Sequence, residues 1–127
     1  MGNTITGTWT DGKKNIDVKL TIILFKEDET HLVFCPALNL TGYGATEAEA
    51  MQSFDVMINE YFHYTTNKNT LSKDLKNLGW KILKNLRKPA TPPNMSYLLS
   101  TNEDFKRIFD NYDYRKASTN ISIPALV

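Results

Sequence analysis

Few side chains in this chain of 127 residues are suited to chemistry, and none lies at a spacing typical of an active site. The two histidines, His31 and His63, have no His, Cys or acidic partner at a metal-ligand spacing such as H-x-x-x-H. Cys35, the only cysteine, lies beside Pro36, and we expect it to be a small, buried apolar side chain. Nucleophile elbows, phosphate-binding glycine loops and CxxC pairs are absent from the sequence. We therefore predict no catalytic, cofactor-binding or metal site, and no enzymatic activity.

The elements that position these side chains begin with a predicted antiparallel hairpin and meander. Asp11-Gly12 is a strong turn dipeptide between two alternating segments. In the strand that follows, every second residue is apolar: Ile16, Val18, Leu20, Ile22 and Leu24. Because Ile23 and Phe25 make the other face apolar as well, we expect this end of the strand to be buried on both sides. An acidic tip, Lys26–Glu29, then leads into another strand, His31–Cys35.

The next segment predicts a strand followed by a capped helix. The strand is predicted through Leu38, Leu40 and Tyr43. Thr46 and Glu49 form the T-x-x-E of a capping box, in which Thr46 accepts from the backbone N–H three residues on and Glu49 reaches back to the N–H of Thr46. The helix is predicted over Glu47–Tyr64.

The predicted helix is amphipathic. Its inner stripe recurs at helical spacing: Ala50, Met51, Phe54, Met57, Ile58, Tyr61 and Phe62. The opposite face is polar: Gln52, Asp55, Asn59 and His63. After the helix, Thr70 is predicted to cap a second, short helix that ends at Gly79. Residues Trp80–Leu83 are predicted to be a strand that returns to the sheet.

The segment His31–Phe62 resembles the N-terminal core of the HicB family, the antitoxins of HicA–HicB toxin–antitoxin pairs. The residues that carry the resemblance are Phe34, Pro36, Leu38, Gly44, Thr46, Glu49 and Ala50. The resemblance implies an α+β fold, an antiparallel β-meander packed on one long helix as a partially degraded ribonuclease H-like core. It also implies a bacterial, cytoplasmic antitoxin that binds and neutralises a small basic HicA-type ribonuclease, an mRNA interferase.

A ribonuclease H-like core raises the question of a nuclease, and the carboxylates argue against one. Two-metal phosphodiester chemistry needs several carboxylates that converge on ions about 4 Å apart. The predicted strand 39–45 has no acid, Asp17 lies near the turn-proximal end of the long strand, and Asp55 lies on the polar side of the helix. We therefore expect the function to be binding.

Charge suggests which residues would contact a toxin. Residues 1–64 carry a net charge of −5 and residues 65–127 a net charge of +6. An RNA-binding toxin presents positive charge, which an acidic surface can cover. The candidate toxin contacts are Glu27, Asp28, Glu29, Asp55 and Glu60. Two alternatives remain open: a stand-alone HicB-fold oligomer with a structural or regulatory role and no toxin, and a weak nucleic-acid binder that uses the basic segment Lys68–Lys88.

The C-terminal part, residues 89–127, is separated in composition from the HicB-like core, residues 1–88. Pro89–Asn94 is predicted to be a stiff connector. Asn102 is predicted to cap a helix through Phe105, Ile108 and Phe109, and a strand is predicted over Tyr114–Pro124. The end of that strand resembles the opening strand of a ribbon-helix-helix module, but the two helices of that module do not follow before Val127, so we expect no direct DNA binding.

The predicted C-terminal strand has no sequence-adjacent partner joined by a tight turn. An unpaired strand favours pairing with another edge, so we expect it to add to its own sheet or to that of a second subunit. We predict a homodimer whose contacts include four residues of the strand: Tyr114, Asn120, Ile121 and Ile123.

Bulk composition predicts where the chain acts. The longest apolar runs fall well short of the roughly 18 residues of a membrane span, and the first residues lack the basic and apolar regions of a secretory signal. With a single cysteine, a reducing cytoplasm is the expected compartment, with no membrane partner.

Overall fold

The computed structural model describes residues 7–10, 13–82 and 90–124, with side chains described from Asp17 onward. The strands in these ranges are β1 (Gly7–Thr10), β2 (Lys13–Glu27), β3 (Thr30–Cys35), β4 (Leu40–Gly44), β5 (Lys81–Ile82), β6 (Ala90–Thr91) and β7 (Tyr114–Ile123). The helices are α1 (Glu47–Asn67), α2 (Leu71–Asn77), α3 (Met95–Thr101) and α4 (Glu103–Asn111). The α+β class, the long helix and the C-terminal strand are confirmed.

The long strand β2 is the centre of a five-stranded antiparallel sheet. Along one edge it pairs with β7 over ten residues, from Ile16 opposite Ile123 to Phe25 opposite Tyr114. Its other edge pairs with β1 near the start and with β3 over residues 23–27, and β4 then pairs with β3. The predicted hairpin of β1 and β2 is confirmed by this register, whereas its turn, Asp11-Gly12, lies outside the described residues.

Helices cover both faces of this sheet. On one face α1 approaches β4 so closely that a Cβ on Gly42 would lie 2.3 Å from the backbone nitrogen of Phe54. On the other face the Phe105 ring of α4 contacts Phe34, with centroids 6.2 Å apart. Because β2 is sandwiched between these layers, Ile23 and Leu24 are both buried. The prediction that this end of the strand is buried on both sides is therefore confirmed.

The start of α1 agrees with the predicted cap, with one change. Thr46 Oγ1 accepts from the backbone N–H of Glu49 at 3.1 Å. The Glu49 carboxylate, however, accepts from the backbone N–H of Ala45 at 3.0 Å, one residue before the predicted donor. The first contact satisfies an N–H group that the first helical turn leaves without an intrahelical partner, and the second satisfies the N–H group of the residue just before the cap. The preceding strand is shorter than predicted, because Leu38 is buried in a turn and β4 begins only at Leu40.

The inner stripe of α1 is confirmed apart from one position. Ala50, Phe54, Ile58 and Phe62 are all buried. Met57 was predicted to be internal, but it is 37% exposed, because it lies on the flank of the helix. The helix also continues to Asn67, past the predicted end at Tyr64.

The segment after α1 folds differently from the prediction. α2 forms where expected, but Thr70 makes no side-chain cap hydrogen bond to its backbone; its hydroxyl is 3.5 Å from Asp74 Oδ2. The strand predicted over Trp80–Leu83 does not return to the main sheet: β5 pairs with β6 in a separate two-stranded sheet. Trp80 is buried and donates its indole N–H to the Ala37 carbonyl at 2.7 Å, which explains its position without a strand in the main sheet.

The C-terminal part packs on the core. The predicted connector Pro89–Asn94 contains β6, and α3, which was not predicted, follows it at Met95. Asn94 caps α3, accepting from the backbone N–H of Tyr97 at 2.8 Å. Asn102 caps α4 in the same way, as predicted, although Phe109 on that helix is 44% exposed. None of the helices that the structure describes is long and apolar enough to cross a membrane.

Candidate functional site

The residues whose side chains could act in catalysis or metal binding lie apart from one another. Cys35 is buried, and burial raises the pKa of its thiol to about 11, so the thiol stays protonated near neutral pH and is a poor nucleophile. His31 lies on β3, and His63 is exposed on α1. Within the described ranges, no group of three or more His, Cys, Asp or Glu side chains could hold a metal ion.

The two carboxylates weighed for nuclease chemistry lie on opposite sides of the sheet. Asp17 alternates with Val18 along β2 and shares a face with Ile23, the face that α4 covers. Asp55 is exposed on α1, which covers the other face. These two carboxylates therefore cannot converge on one pair of metal ions.

A cavity of about 260 Å³ lies at the end of the sheet where α1 begins. Its charged lining contains both signs: Lys26, His31, Glu47, Asp113 and Arg115. Arg115 donates a hydrogen bond to the Glu47 carboxylate, so two of these charges already neutralise each other. With Lys26 and Arg115 set against Glu47 and Asp113, the cavity provides no concentrated charge for an anion or a cation.

Glu27, one of the candidate toxin contacts, takes part in the fold. Its carboxylate accepts a 2.5 Å hydrogen bond from the Tyr112 hydroxyl and lies 4.0 Å from Arg107 Nη1. The hydrogen bond to Glu27 raises the pKa of Tyr112, because a phenolate there would face a carboxylate. The ring of Tyr112 also packs on Phe25, with centroids 5.2 Å apart. Glu27 therefore links β2 to α4 and to the segment after α4.

The other four candidate contacts do not form one patch. Asp28 and Glu29 lie in the exposed turn between β2 and β3, where Asp28 has a positive φ of 55°. Asp55 and Glu60 are exposed on α1, about two turns and more beyond its first residue. The acidic surface of the N-terminal half is thus divided between a loop and a helix.

The most distinctive surface is the outward side of α1. Over its 21 residues the helix carries four acids and no Lys or Arg. Two of the acids have other roles, because Glu47 pairs with Arg115 and Glu49 caps the helix. We define the outer face of α1 by five exposed residues: Asp55, Val56, Met57, Glu60 and Tyr64.

The outer face of α1 also exposes large apolar side chains. Of the six large apolar side chains exposed in the described part of the chain, three lie here: Val56 is 54% exposed, Met57 37% and Tyr64 62%. Among the described residues, no hydrogen bond or ion pair engages Asp55 or Glu60. Exposed apolar side chains next to free carboxylates are suited to a basic protein partner. The charge pattern of the sequence indicates the two acids as contacts, but no sequence pattern indicates Val56 or Tyr64.

The four residues predicted to form an oligomer contact belong to a strand that forms as expected. β7, however, pairs with β2 of its own chain, and Ile121 and Ile123 are buried in the core. These two side chains therefore contribute to the core of the single chain. Tyr114 is partly buried, stacked against Phe109 with centroids 5.7 Å apart, and Asn120 is exposed.

The basic segment Lys68–Lys88 is described only up to residue 82, and Lys84, Arg87 and Lys88 lie outside the described residues. Its described lysines are all exposed: Lys68, Lys73, Lys76 and Lys81. Lys68 lies over the Tyr64 ring, 5.9 Å from the centroid. The described part of this segment presents no row of aromatic side chains for stacking on nucleic-acid bases.

Comparison with protein-family models, with curated proteins and with solved structures found no match for this chain. The HicB resemblance accordingly depends on the residues of the His31–Phe62 segment alone.

Proposed function

We propose that this protein is a non-catalytic, HicB-like antitoxin or antitoxin-derived protein that binds and neutralises a small HicA-type ribonuclease. The observation that carries the proposal is the outer face of α1, which combines exposed apolar side chains with Asp55 and Glu60, on a helix that has no Lys or Arg. A toxin that binds RNA needs a positively charged surface. The outer face of α1 could cover such a surface by both charge and apolar contact.

The proposal draws support from the fold that the resemblance implied. The antiparallel meander and the long capped helix packed on it are both present. Support for a non-catalytic role comes from the separation of Asp17 and Asp55. We expect the purified protein to cleave neither RNA nor DNA with Mg²⁺ or Mn²⁺, and metal-dependent cleavage lost in Asp17→Asn or Asp55→Asn would contradict this.

The test of toxin binding looks for a reading frame beside the gene for this chain that encodes a HicA-type ribonuclease, and uses its purified product. We expect an excess of the protein to stop RNA cleavage. Glu60→Lys should weaken the inhibition by about tenfold or more, because it replaces an attractive contact by a repulsive one. Asp104→Lys is the matched control, since Asp104 is an exposed acid of α4, on the opposite side of the sheet.

Each result of this test bears on the proposal. Equal inhibition by Glu60→Lys and Asp104→Lys would exclude the outer face of α1 as the toxin contact. RNA cleavage that continues unchanged in an excess of the wild-type protein would exclude antitoxin function against that ribonuclease.

We also propose that the chain is a homodimer in the cytoplasm, as an antitoxin or as a stand-alone oligomer without a toxin. The observation that favours self-association is the outer edge of β7, which no other described strand pairs. Sedimentation of the protein without any ribonuclease tests this: a monomer would exclude both the dimer and the stand-alone oligomer.

A further inference from the structure

No strand that the structure describes pairs with the outer edge of β7. The five central residues of the strand have short or flexible side chains, and four of them are exposed while Thr119 is partly so: Lys116, Ala117, Ser118, Thr119 and Asn120. Exposed residues of the strand lie on both faces of the sheet, because side chains alternate between the faces. An edge that presents backbone N–H and C=O groups without cover is a template for another strand.

One hydrogen bond at the far side of the sheet establishes which residues of β7 point outward. The backbone N–H of Tyr43 donates to Ser53 Oγ at 3.2 Å, so the polar backbone groups of Tyr43 point away from β3. In an antiparallel ladder these groups alternate between the two edges from one residue to the next. The backbone N–H and C=O groups of Gly42 therefore point toward β3, where Gly42 lies opposite Val33.

The same alternation can be followed to β7, because every register between is continuous. Because the backbone of Val33 forms hydrogen bonds with Gly42, the backbone groups of Phe34 point toward β2 and form hydrogen bonds with Ile23. Leu24 then points to the other edge of β2 and bonds with Arg115. The odd-numbered residues of β7 thus face β2. Five residues of the strand direct their N–H and C=O groups outward: Tyr114, Lys116, Ser118, Asn120 and Ser122.

We propose that this edge pairs with the same edge of a second copy of the chain, antiparallel about a two-fold axis at Ser118. A chain in extended conformation can satisfy such a row of outward backbone groups, and a second β7 supplies the same row in reverse order. With the axis at Ser118, all five outward residues find an outward partner: Ser118 pairs with itself, Lys116 with Asn120, and Tyr114 with Ser122. An axis one residue away in either direction leaves one of the five without a partner.

Charge and shape also favour the axis at Ser118. Arg115 and Lys116 are the only charged residues of β7. The pairing places Lys116 opposite Asn120 and Arg115 opposite Ile121, so neither cation lies opposite its own copy, which would be unfavourable. Since the two-fold axis is perpendicular to the joined sheet, both copies of α1 lie on the same side. The dimer would present two acidic outer faces to its partners.

The first test uses backbone chemistry. Pro at position 118 removes an N–H that points outward and none that bonds with β2, and proline is tolerated at such edge positions. Ser118→Pro should remain folded by circular dichroism and self-associate roughly thirtyfold more weakly or worse, because two hydrogen bonds at the axis are lost. Ser118→Ala keeps the N–H and should sediment as the wild-type dimer. A wild-type protein that sediments as a monomer, or a Ser118→Pro variant that stays a wild-type-like dimer, would overturn the proposal.

The second test measures the register, and it does not depend on the proline variant folding. Residues of an antiparallel hydrogen-bonded pair have Cα atoms about 5.5 Å apart, within the range of a disulfide. Ser118→Cys should therefore form an intermolecular disulfide on mild oxidation. Lys116→Cys is the matched control, because its two copies would lie about 13 Å apart along the strands, out of reach.

The register test has clear outcomes. The buried Cys35 gives no background, and the wild-type protein checks this. Cross-linking of Lys116→Cys in preference to Ser118→Cys would place the axis elsewhere and contradict the register. The pairing rests on the homodimer proposed above: a monomer would exclude both, whereas a dimer that neither Ser118→Pro weakens nor Ser118→Cys cross-links would contradict the pairing alone.

Discussion

The strands β4 and β7 are both outer strands of one sheet, but their edges differ in protection. At β4 the helix α1 lies against the strand, with Gly42 giving the clearance and the Ser53 hydroxyl accepting from the edge N–H of Tyr43. At β7 the central residues are exposed on both faces, and the structure describes no strand beyond them. A sheet in which a helix hydroxyl satisfies one edge, and in which no described strand pairs with the other, has one edge suited to the interior of a monomer and one suited to pairing.

The two edges also differ in the residues that each one requires. Protection of β4 requires a residue without a side chain at position 42, because a Cβ there would collide with the backbone of α1. At β7 the edge can remain unpaired with only short polar residues such as Ser118 in the centre of the strand. The buried side chains of Ile121 and Ile123 anchor the strand to the core. One edge therefore tolerates few substitutions, and the other tolerates many.

The largest effect is expected from the core beneath α1. Phe54 is 1% exposed, and Phe54→Ala should lower the free energy of unfolding by about 3–5 kcal/mol, because a large buried ring is replaced by a cavity. Asp55→Ala is the adjacent control on the exposed side and should change stability by less than about 0.5 kcal/mol. Urea denaturation of both variants measures the difference. Equal losses would mean that α1 is rotated from the orientation described.

On the β7 side, the inner end of the strand should behave as core. Ile123 is fully buried, and Ile123→Ala should cost about 2–5 kcal/mol, which can be measured by the same denaturation. Ser118→Ala, in the exposed centre of the strand, should cost within about 0.5 kcal/mol. A chain truncated after Asn111 should consequently lose its fold. A truncated chain as stable as the full-length protein would show that β7 is not part of the sheet.

A smaller loss is expected from the glycine that protects β4. Gly42→Ala should destabilise the protein by about 1–3 kcal/mol, because the added Cβ meets backbone atoms of α1 that cannot move like a flexible side chain. Tyr43→Thr is the control on the same strand, since Tyr43 is 63% exposed and threonine retains strand propensity. Thermal unfolding would show a lower melting temperature for Gly42→Ala alone. A neutral Gly42→Ala would indicate that α1 packs less closely on β4.

The sequence predicts those elements of the sheet and of α1 whose structure is decided by local patterns. Alternation predicted β2 and its burial on both faces, T-x-x-E predicted the start of α1, and the strand composition near Ile121 predicted β7. Ser53 and Gly42 gave no such signal, because their roles depend on which strand the helix approaches. The apolar residues next to Trp80 predict a strand that returns to the sheet. A local pattern carries no signal of the tertiary hydrogen bond from Trp80 to Ala37.

The candidate binding surface was predictable only in part for the same physical reason. Charge counting identified Asp55 and Glu60, since acids in a basic-poor segment stand out in the sequence. It also included Glu27, whose carboxylate is engaged by Tyr112, a residue 85 positions away in the chain. Val56 and Tyr64 were missed because exposure of an apolar helix residue depends on how the helix is rotated against the sheet.

The smallest effect concerns the hydroxyl that caps the β4 edge. Ser53→Ala removes the acceptor of the Tyr43 N–H, and a single hydrogen bond near the surface contributes about 0.5–1.5 kcal/mol. Alanine is also the better helix former, so Ser96→Ala on α3 serves as the control: Ser96 is exposed, and the same exchange there reports helix propensity without the lost bond. We expect Ser53→Ala to be less stable than Ser96→Ala by that amount in chemical denaturation, with the dimer mass unchanged in sedimentation. Because the backbone of α1 still lies over Gly42, the freed N–H alone should not recruit another strand. Higher-order association of Ser53→Ala would show that the hydroxyl, and not the helix, keeps the β4 edge closed.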